Sequence, residues 1–400
     1  MPRVSTADRV RDWTESGIVP LTGRPDRPPV VPPGHAATTA RAHSTWIANA
    51  SNGTVDLDGA QLLAERAAFT GHRRSGARSV GGSCRLLPTA DGWAAVSCAR
   101  PDDPSLLGAM IETAIDDDPW PAVTRWLSEH PGADLSERAE LLGVAAGVVG
   151  EAAEEANRNP SFDGLRPRSV AGLVVVDFSA LWAGPLCAHL LGLAGARVIK
   201  VETPTRPDGA RRGNLDFYRL LHAGHESVML NPNLDDDRRA LAALVSAADV
   251  VIEASRPRAL RGFGLDAEEF VESGGTWVSI TARGRDSQRI GFGDDVAACA
   301  GLVATDPAGP MFVGDAIADP LTGLAAAALV MSEAEHARSA GVLWDVSMAG
   351  VVAATLIDDE SRSGTTMDIG LAPPTPRTAH GTAPESGEGT GAVLRGFGIR

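Results

Sequence analysis

A chain of 400 residues with 44% apolar and 22% charged side chains can bury a sizeable core and is long enough for two or three domains. Its formal charge of −15 argues against a phosphate-backbone binder, and no run approaches the roughly 18 apolar residues that a membrane helix needs. Cys84, Cys98, Cys187 and Cys299 are far apart with no CxxC pair and the opening MPRVSTADRVRDW has no apolar signal core, so the expectation is a cytoplasmic protein with neither zinc knuckle nor disulfide framework.

The first 160 residues are mixed in character. A Pro-rich opening (Pro28, Pro29, Pro32, Pro33) predicts extended or loop backbone. Leu57–Phe69 has helical spacing of apolar residues, and SCRLLPTADGWAAVSCA predicts two short strands around a turn at Asp91-Gly92. Leu135–Ala156 predicts a helix.

From residue 170 the pattern becomes rhythmic. Apolar runs at 173–176, 197–201, 249–252 and 276–280 predict strands, alternating with helix-like PLCAHLLGLAG and RRALAALVSAA. Continuous apolar strands between helices imply a parallel sheet covered on both faces. The fold class expected is therefore α/β, a doubly wound, mostly parallel, Rossmann-like sheet with a smaller α+β domain. The expected division is a degenerate Pro-rich lead segment at 1–45, a small α+β domain at 46–160, a large domain at 161–356, and a tail at 357–400 returning on the large domain.

Two stretches carry candidate chemistry. The turn Asp177–Pro185 follows the first α/β strand, where crossover sheets place ligands beside helix N-termini. It lacks G-x-G-x-x-G, which disfavours a nicotinamide enzyme; a plain strand-to-helix turn is the alternative. In VGDAIADPLTGLAAAALVM, Asp319 precedes Pro320 and a small-residue helix. Asp before Pro is a common helix start, with Asp319 as the N-cap. The functional alternative is a carboxylate nucleophile kept ionised by the helix dipole. Only one of the 36 basic residues is lysine, Lys200.

In this order, the features resemble the family III CoA-transferases, a group that includes formyl-CoA transferase, carnitine CoA-transferase and α-methylacyl-CoA racemase. The resemblance runs through VVVDFSALWAGPLCAHLLGLAGARVIKVE, ADVVIEASRPRALRGFGLD, WVSITARGR, GDAIADPLTG and LWDVSM, and then the tail APESGEGTGAVLRGFG. It implies Asp319 as the catalytic residue, a better match than Asp315. It implies CoA contacts at Trp182, Ala183, Gly184, Lys200, Arg256, Arg258 and Ala259, and a substrate loop at Gly81 and Gly82 with Gly323 nearby. It implies acyl-CoA and carboxylic acid as partners, no cofactor or metal beyond CoA as substrate, and an interlocked homodimer.

Departures are visible too. Where the family has Lys-Arg-Ser after the second strand, this chain has His225-Glu226-Ser227, and Thr203 replaces an arginine that helps hold the CoA phosphates. Arg206, Arg211, Arg212, Arg256 and Arg258 are the candidate substitutes. Asp294 stands at the position of the racemase histidine, which favours transferase over racemase; a racemase using Asp294 or Asp295, or a silent CoA-binding paralogue, is the rival. The small domain precedes the α/β part, as in a permuted chain, and Ser16–Val19 echoes Ala300–Val303.

Overall fold

The aliphatic run at 173–176 has no polar residue to turn toward water, and the computed structural model places it at the centre of a sheet. The structure describes residues 6–115, 118–254, 257–334, 341–357 and 370–399. Six parallel strands form the main sheet: Val174–Asp177, Arg197–Glu202, Glu226–Met229, Val250–Glu253, Thr276–Thr281 and Val342–Ser347. Numbered along the chain, their spatial order is 3-2-1-4-5-6. The order reverses between the first and fourth strands, so their carboxyl ends open a crevice of the kind that binds nucleotides.

Alternate residues serve opposite faces, as strand geometry requires. Val175, Val198, Val250 and Val278 join one core, with the helices Ala183–Leu193 and Ala318–Val330. Val176, Ile199, Val251 and Trp277 join another, with the helix Asp235–Ser246 and with Val393 and Leu394 of the C-terminal helix. The doubly wound fold class expected from sequence is the one observed.

Gly323 sets the contact between the two central helices. A Cβ there would lie 2.6 Å from the Ala183 carbonyl oxygen, so only glycine lets the backbones come this close. The crossing brings the start of one helix beside the start of the other, and this carries Asp319 to Ala183.

Three differences from the sequence reading stand out. The segment 135–156 is not one helix: Gly132–Leu142 ends at Gly143, whose φ of +65° stops it, and Ala146–Val148 then forms a strand. That strand completes a three-stranded antiparallel sheet with Cys84–Pro88 and Trp93–Ser97, which has its own apolar core around Leu107, Leu127 and Leu135. Second, the boundary expected at residue 45 cuts through the helix Ala36–Ala50. Trp13, Ile18, Ile47 and Leu63 pack into the large core, because the apolar face of Ala318–Val330 needs cover on the side away from the sheet. Third, Asp319 is not an N-cap. The helix starts at Ala318, and Asp319 lies inside its first turn.

Candidate active site

The site begins with backbone strain at the carboxyl end of the first strand. Asp177 accepts hydrogen bonds from the backbone N–H and hydroxyl of Ser179, folding the chain back on itself. Leu181 then adopts a φ of +70°, which a branched side chain rarely tolerates. Its N–H donates to Asp208 Oδ1 at 3.0 Å, which holds the strained turn in place. Gly184 follows, where a Cβ would collide with Ser179 at 2.1 Å.

Beneath this turn lies Lys200. It is 1% exposed, its Nζ stands 3.0 Å from Asp208 and 3.7 Å from Asp177, and it donates to the Ser179 carbonyl. Burial pulls its pKa down, but the two carboxylates outweigh burial and leave it above the ordinary lysine value. The expected CoA contact of Lys200 is therefore not what the structure places. Its ammonium is fully enclosed, and it ties the first-strand turn to the Asp208 loop instead.

Those two segments wall a cleft of about 360 Å³. Leu181, Trp182, Gly209, Asn214 and Phe217 line one side, and Arg66, His72 and Gly81 the other. Trp182 meets Phe217 edge-on with centroids 5.3 Å apart, and the Arg66 guanidinium lies over the Trp182 ring at 4.9 Å. Of the expected substrate loop, Gly81 lines this cleft. Gly82 does not; it turns away at a φ of +83° against Arg78.

Behind Arg66 and Trp182 four aspartates gather. Asp315 is fully buried and forms a two-point ion pair with Arg66, Nε to Oδ2 at 2.9 Å and Nη2 to Oδ1. His72 Nδ1 approaches the same carboxylate at 3.5 Å. Burial pushes Asp315 upward, yet Arg66 more than reverses this and holds its pKa at about 2. Asp294 is buried and accepts the Ala316 N–H at 2.9 Å; burial and Asp315 push it up to about 6. Asp295 accepts from the Ser97 hydroxyl at 2.6 Å, and burial pushes it to about 7. The rival partner bases, Asp294 and Asp295, are thus both committed to holding backbone turns.

Asp319 differs from the other three in remaining partly exposed. The Ala183 N–H, first of its helix and free of intrahelical bonding, faces its carboxylate. Burial still pushes Asp319 up to about 7, with Arg66 and the Ala183 N–H pulling down and Asp294 pushing up. The helix dipole expected to keep this group fully ionised does not win against burial. Asp319 is not itself among the residues that line the cleft, but it feels the charge of Arg66, which does.

Of the other sequence candidates, Gly323 lies mid-helix with its N–H committed to the helix, so it is a packing residue and not part of a substrate loop. Arg258 is exposed and Ala259 half-buried in the helix Pro257–Arg261 after the fourth strand, and Arg256 lies outside the described residues. Ala254, directly after the fourth strand, approaches Gly184, so the carboxyl end of that strand and the turn share one end of the sheet. Sequence reasoning missed Arg66, His72 and Asp208. Only Asp208 had a local signal, the Pro207-Asp208-Gly209 turn.

Comparison with known families decides the lineage. Residues 170–371, half of the chain, match CoA-transferase family III. The chain belongs to this family. Among curated family III relatives it is similar to the succinate–glutarate CoA-transferase of Agrobacterium fabrum, 28% identical over 48% of this chain and 52% of that protein. It is similar also to the succinyl-CoA:mesaconate CoA-transferase of Haloarcula marismortui, 32% identical over 30% of this chain and 33% of that protein. The chain therefore spans between a third and about half the length of these relatives. Among solved structures, a hypothetical protein of Mycobacterium tuberculosis (Rv3272) is 28% identical over 47% of this chain and 56% of its own, with a TM-score of 0.42.

Proposed function

We propose that this protein moves CoA from an acyl-CoA thioester to a carboxylic acid through a covalent intermediate on Asp319. The observation that carries the reading is the Asp319 carboxylate, partly exposed and facing the first free N–H of the neighbouring helix, within the segment matched to the family. An Asp319 oxygen attacks the thioester carbonyl carbon, and the Ala183 N–H is placed to stabilise the oxyanion that develops. Collapse breaks the C–S bond, releases CoA thiolate and leaves a mixed anhydride on Asp319. The thiolate attacks the aspartyl carbonyl, freeing the donor acid. The acceptor carboxylate then attacks the aspartyl thioester, expelling CoA thiolate and forming a second mixed anhydride; the thiolate attacks the acceptor's carbonyl of that anhydride, giving the new acyl-CoA and freeing the Asp319 carboxylate.

Asp315 does not suit this role, because its carboxylate is fully buried and both its oxygens are taken by the Arg66 guanidinium. To the same reading belong CoA as the only cofactor, binding along the 180–185 turn and the 254–260 loop with Arg258 at its rim, a homodimer, and a cytoplasmic location. The unit built on the three-stranded sheet is proposed as the small domain. Mass spectrometry after incubation with a panel of acyl-CoAs and hydroxylamine tests the proposal. A hydroxamate on the peptide holding Asp319, lost in Asp319→Ala and kept in Asp315→Asn, is expected. CoA binding without any adduct identifies a silent CoA-binding paralogue instead.

A further inference from the structure

The lining of the cleft divides into two chemical kinds. Leu181, Trp182 and Phe217 give an apolar, largely aromatic surface, and Arg66 and His72, with the neutral side chains of Thr70, Ser83 and Asn214, give the polar one. Arg66 directs Nε and one Nη2 hydrogen at Asp315, yet a guanidinium carries five N–H groups, and its side chain keeps 28% exposure. Its charge is also felt by Asp294 and Asp319. The guanidinium is thus surrounded by carboxylates in the resting protein, and one of them, Asp319, is the group proposed to become acylated.

We propose that Arg66 receives the carboxylate of the acceptor acid, the body of that acid lying on Trp182 and Phe217, and that this hold tightens once Asp319 is acylated. The inference rests on the proposed reaction and adds its order of events. An anhydride or thioester at Asp319 is neutral, so acylation removes the negative charge that the ionised carboxylate places near Arg66. An incoming anion then meets less repulsion beside Arg66, whose pair with Asp315 stays in place. The acceptor therefore binds best when the intermediate is ready for it.

The same lining predicts the class of acid. Among the described residues that line it Arg66 is the one guanidinium, so a second carboxylate would find neutral hydroxyl and amide groups or apolar rings and no second guanidinium to pair with. A monocarboxylic acid with an aromatic or branched body fits, and a short dicarboxylic acid such as succinate does not.

Binding of phenylacetate and of succinate, followed calorimetrically without any acyl-CoA, tests this independently of turnover. Asp319→Asn, which keeps the shape and drops the charge, is expected to bind phenylacetate about fivefold tighter than the parent. Arg66→Gln combined with Asp315→Asn, which avoids leaving a buried carboxylate unpaired, is expected to lose about tenfold in affinity. Arg66→Lys, a second variant should that pair fail to fold, is expected to fall between. Unchanged affinity in the Arg66 variants, no tightening in Asp319→Asn, or succinate binding as well as phenylacetate would each overturn the proposal. Arg66-dependent phenylacetate binding in a protein that never forms the Asp319 hydroxamate keeps the carboxylate site at Arg66 and removes the proposed reaction together with the tightening on acylation. A hydroxamate without Arg66-dependent binding does the reverse.

Discussion

The α-carbon of Gly293 abuts the Asp319 carboxylate: a Cβ built there would lie 2.2 Å from Oδ2 and 2.4 Å from the Ala316 carbonyl oxygen. Backbone on one side leaves the carboxylate as the group that must move. Gly293→Ala is expected to cut kcat by about 100-fold through misplacement of the nucleophile, while overpacking costs about 1–3 kcal/mol of stability. Steady-state kinetics beside a melting curve separate the two effects. An active Gly293→Ala variant would mean that the position of Asp319 does not matter to the reaction.

The raised pKa of Asp319 gives a pH profile with a definite sign. Below about 7 the carboxylate is protonated and cannot attack, so kcat rises with pH through neutrality. Asp294 contributes to the upward push, so Asp294→Asn is expected to move this limb to lower pH while its side-chain oxygen still accepts the Ala316 N–H. A flat profile between pH 6 and 8 with an acyl-CoA substrate (bounds set about one unit either side of the Asp319 value) counts against Asp319 as nucleophile.

Asp295 bears on stability. Its pKa in the fold, about 7, lies above the usual carboxylate value, so the folded state favours the protonated form. That contribution is fully present below the unfolded pKa, declines as pH rises, and is lost once pH passes about 7. Asp295→Asn is expected to be neutral in acid and to gain on the order of 1 kcal/mol above pH 7, since an amide carries no charge to bury. Denaturant titrations at pH 5 and pH 8, on either side of about 7, check the crossover.

Lys200 and Arg258 should separate structural from ligand contacts. Lys200→Met strands Asp177 and Asp208 without their cation and is expected to cost about 3–5 kcal/mol, visible as a large fall in melting temperature. Arg258→Ala, on an exposed side chain, should leave the melting temperature alone and raise KM for acyl-CoA several-fold, more so at low salt. Equal melting losses in the two variants would contradict this division.

The sheet was legible in the sequence because its strands are buried on both faces. Val174–Asp177 and Val250–Glu253 read as apolar runs for that reason. Glu226–Met229, only partly covered at the sheet edge, gave no such run and was not predicted. Asp319, the proposed nucleophile, stands in the sequence before a small-residue helix, a pattern that an ordinary helix start shares. Arg66 was not legible: it sits in the six-residue helix Glu65–Thr70, and its partner is 249 positions away. No local pattern records a contact of that span. Lys200 stands out as the lone lysine, but composition says nothing of whether it faces a ligand or the interior, and the expected CoA contact gives way to a buried pair with Asp208 and Asp177.

Neighbouring residues of that short helix are clasped by opposite parts of the chain. Arg66 meets Asp315, and Glu65 is gripped by Arg377, Nε to Oε1 at 2.6 Å and Nη2 to Oε2 at 2.7 Å. The second clasp joins positions 312 apart in sequence. Contacts of such long range form only after the entropy of closing large loops has been overcome. The helix bearing Arg66 is therefore expected to dock after the more local strand pairings of the parallel sheet, and the wall of the cleft that Arg66 supplies depends on a clasp from residue 377.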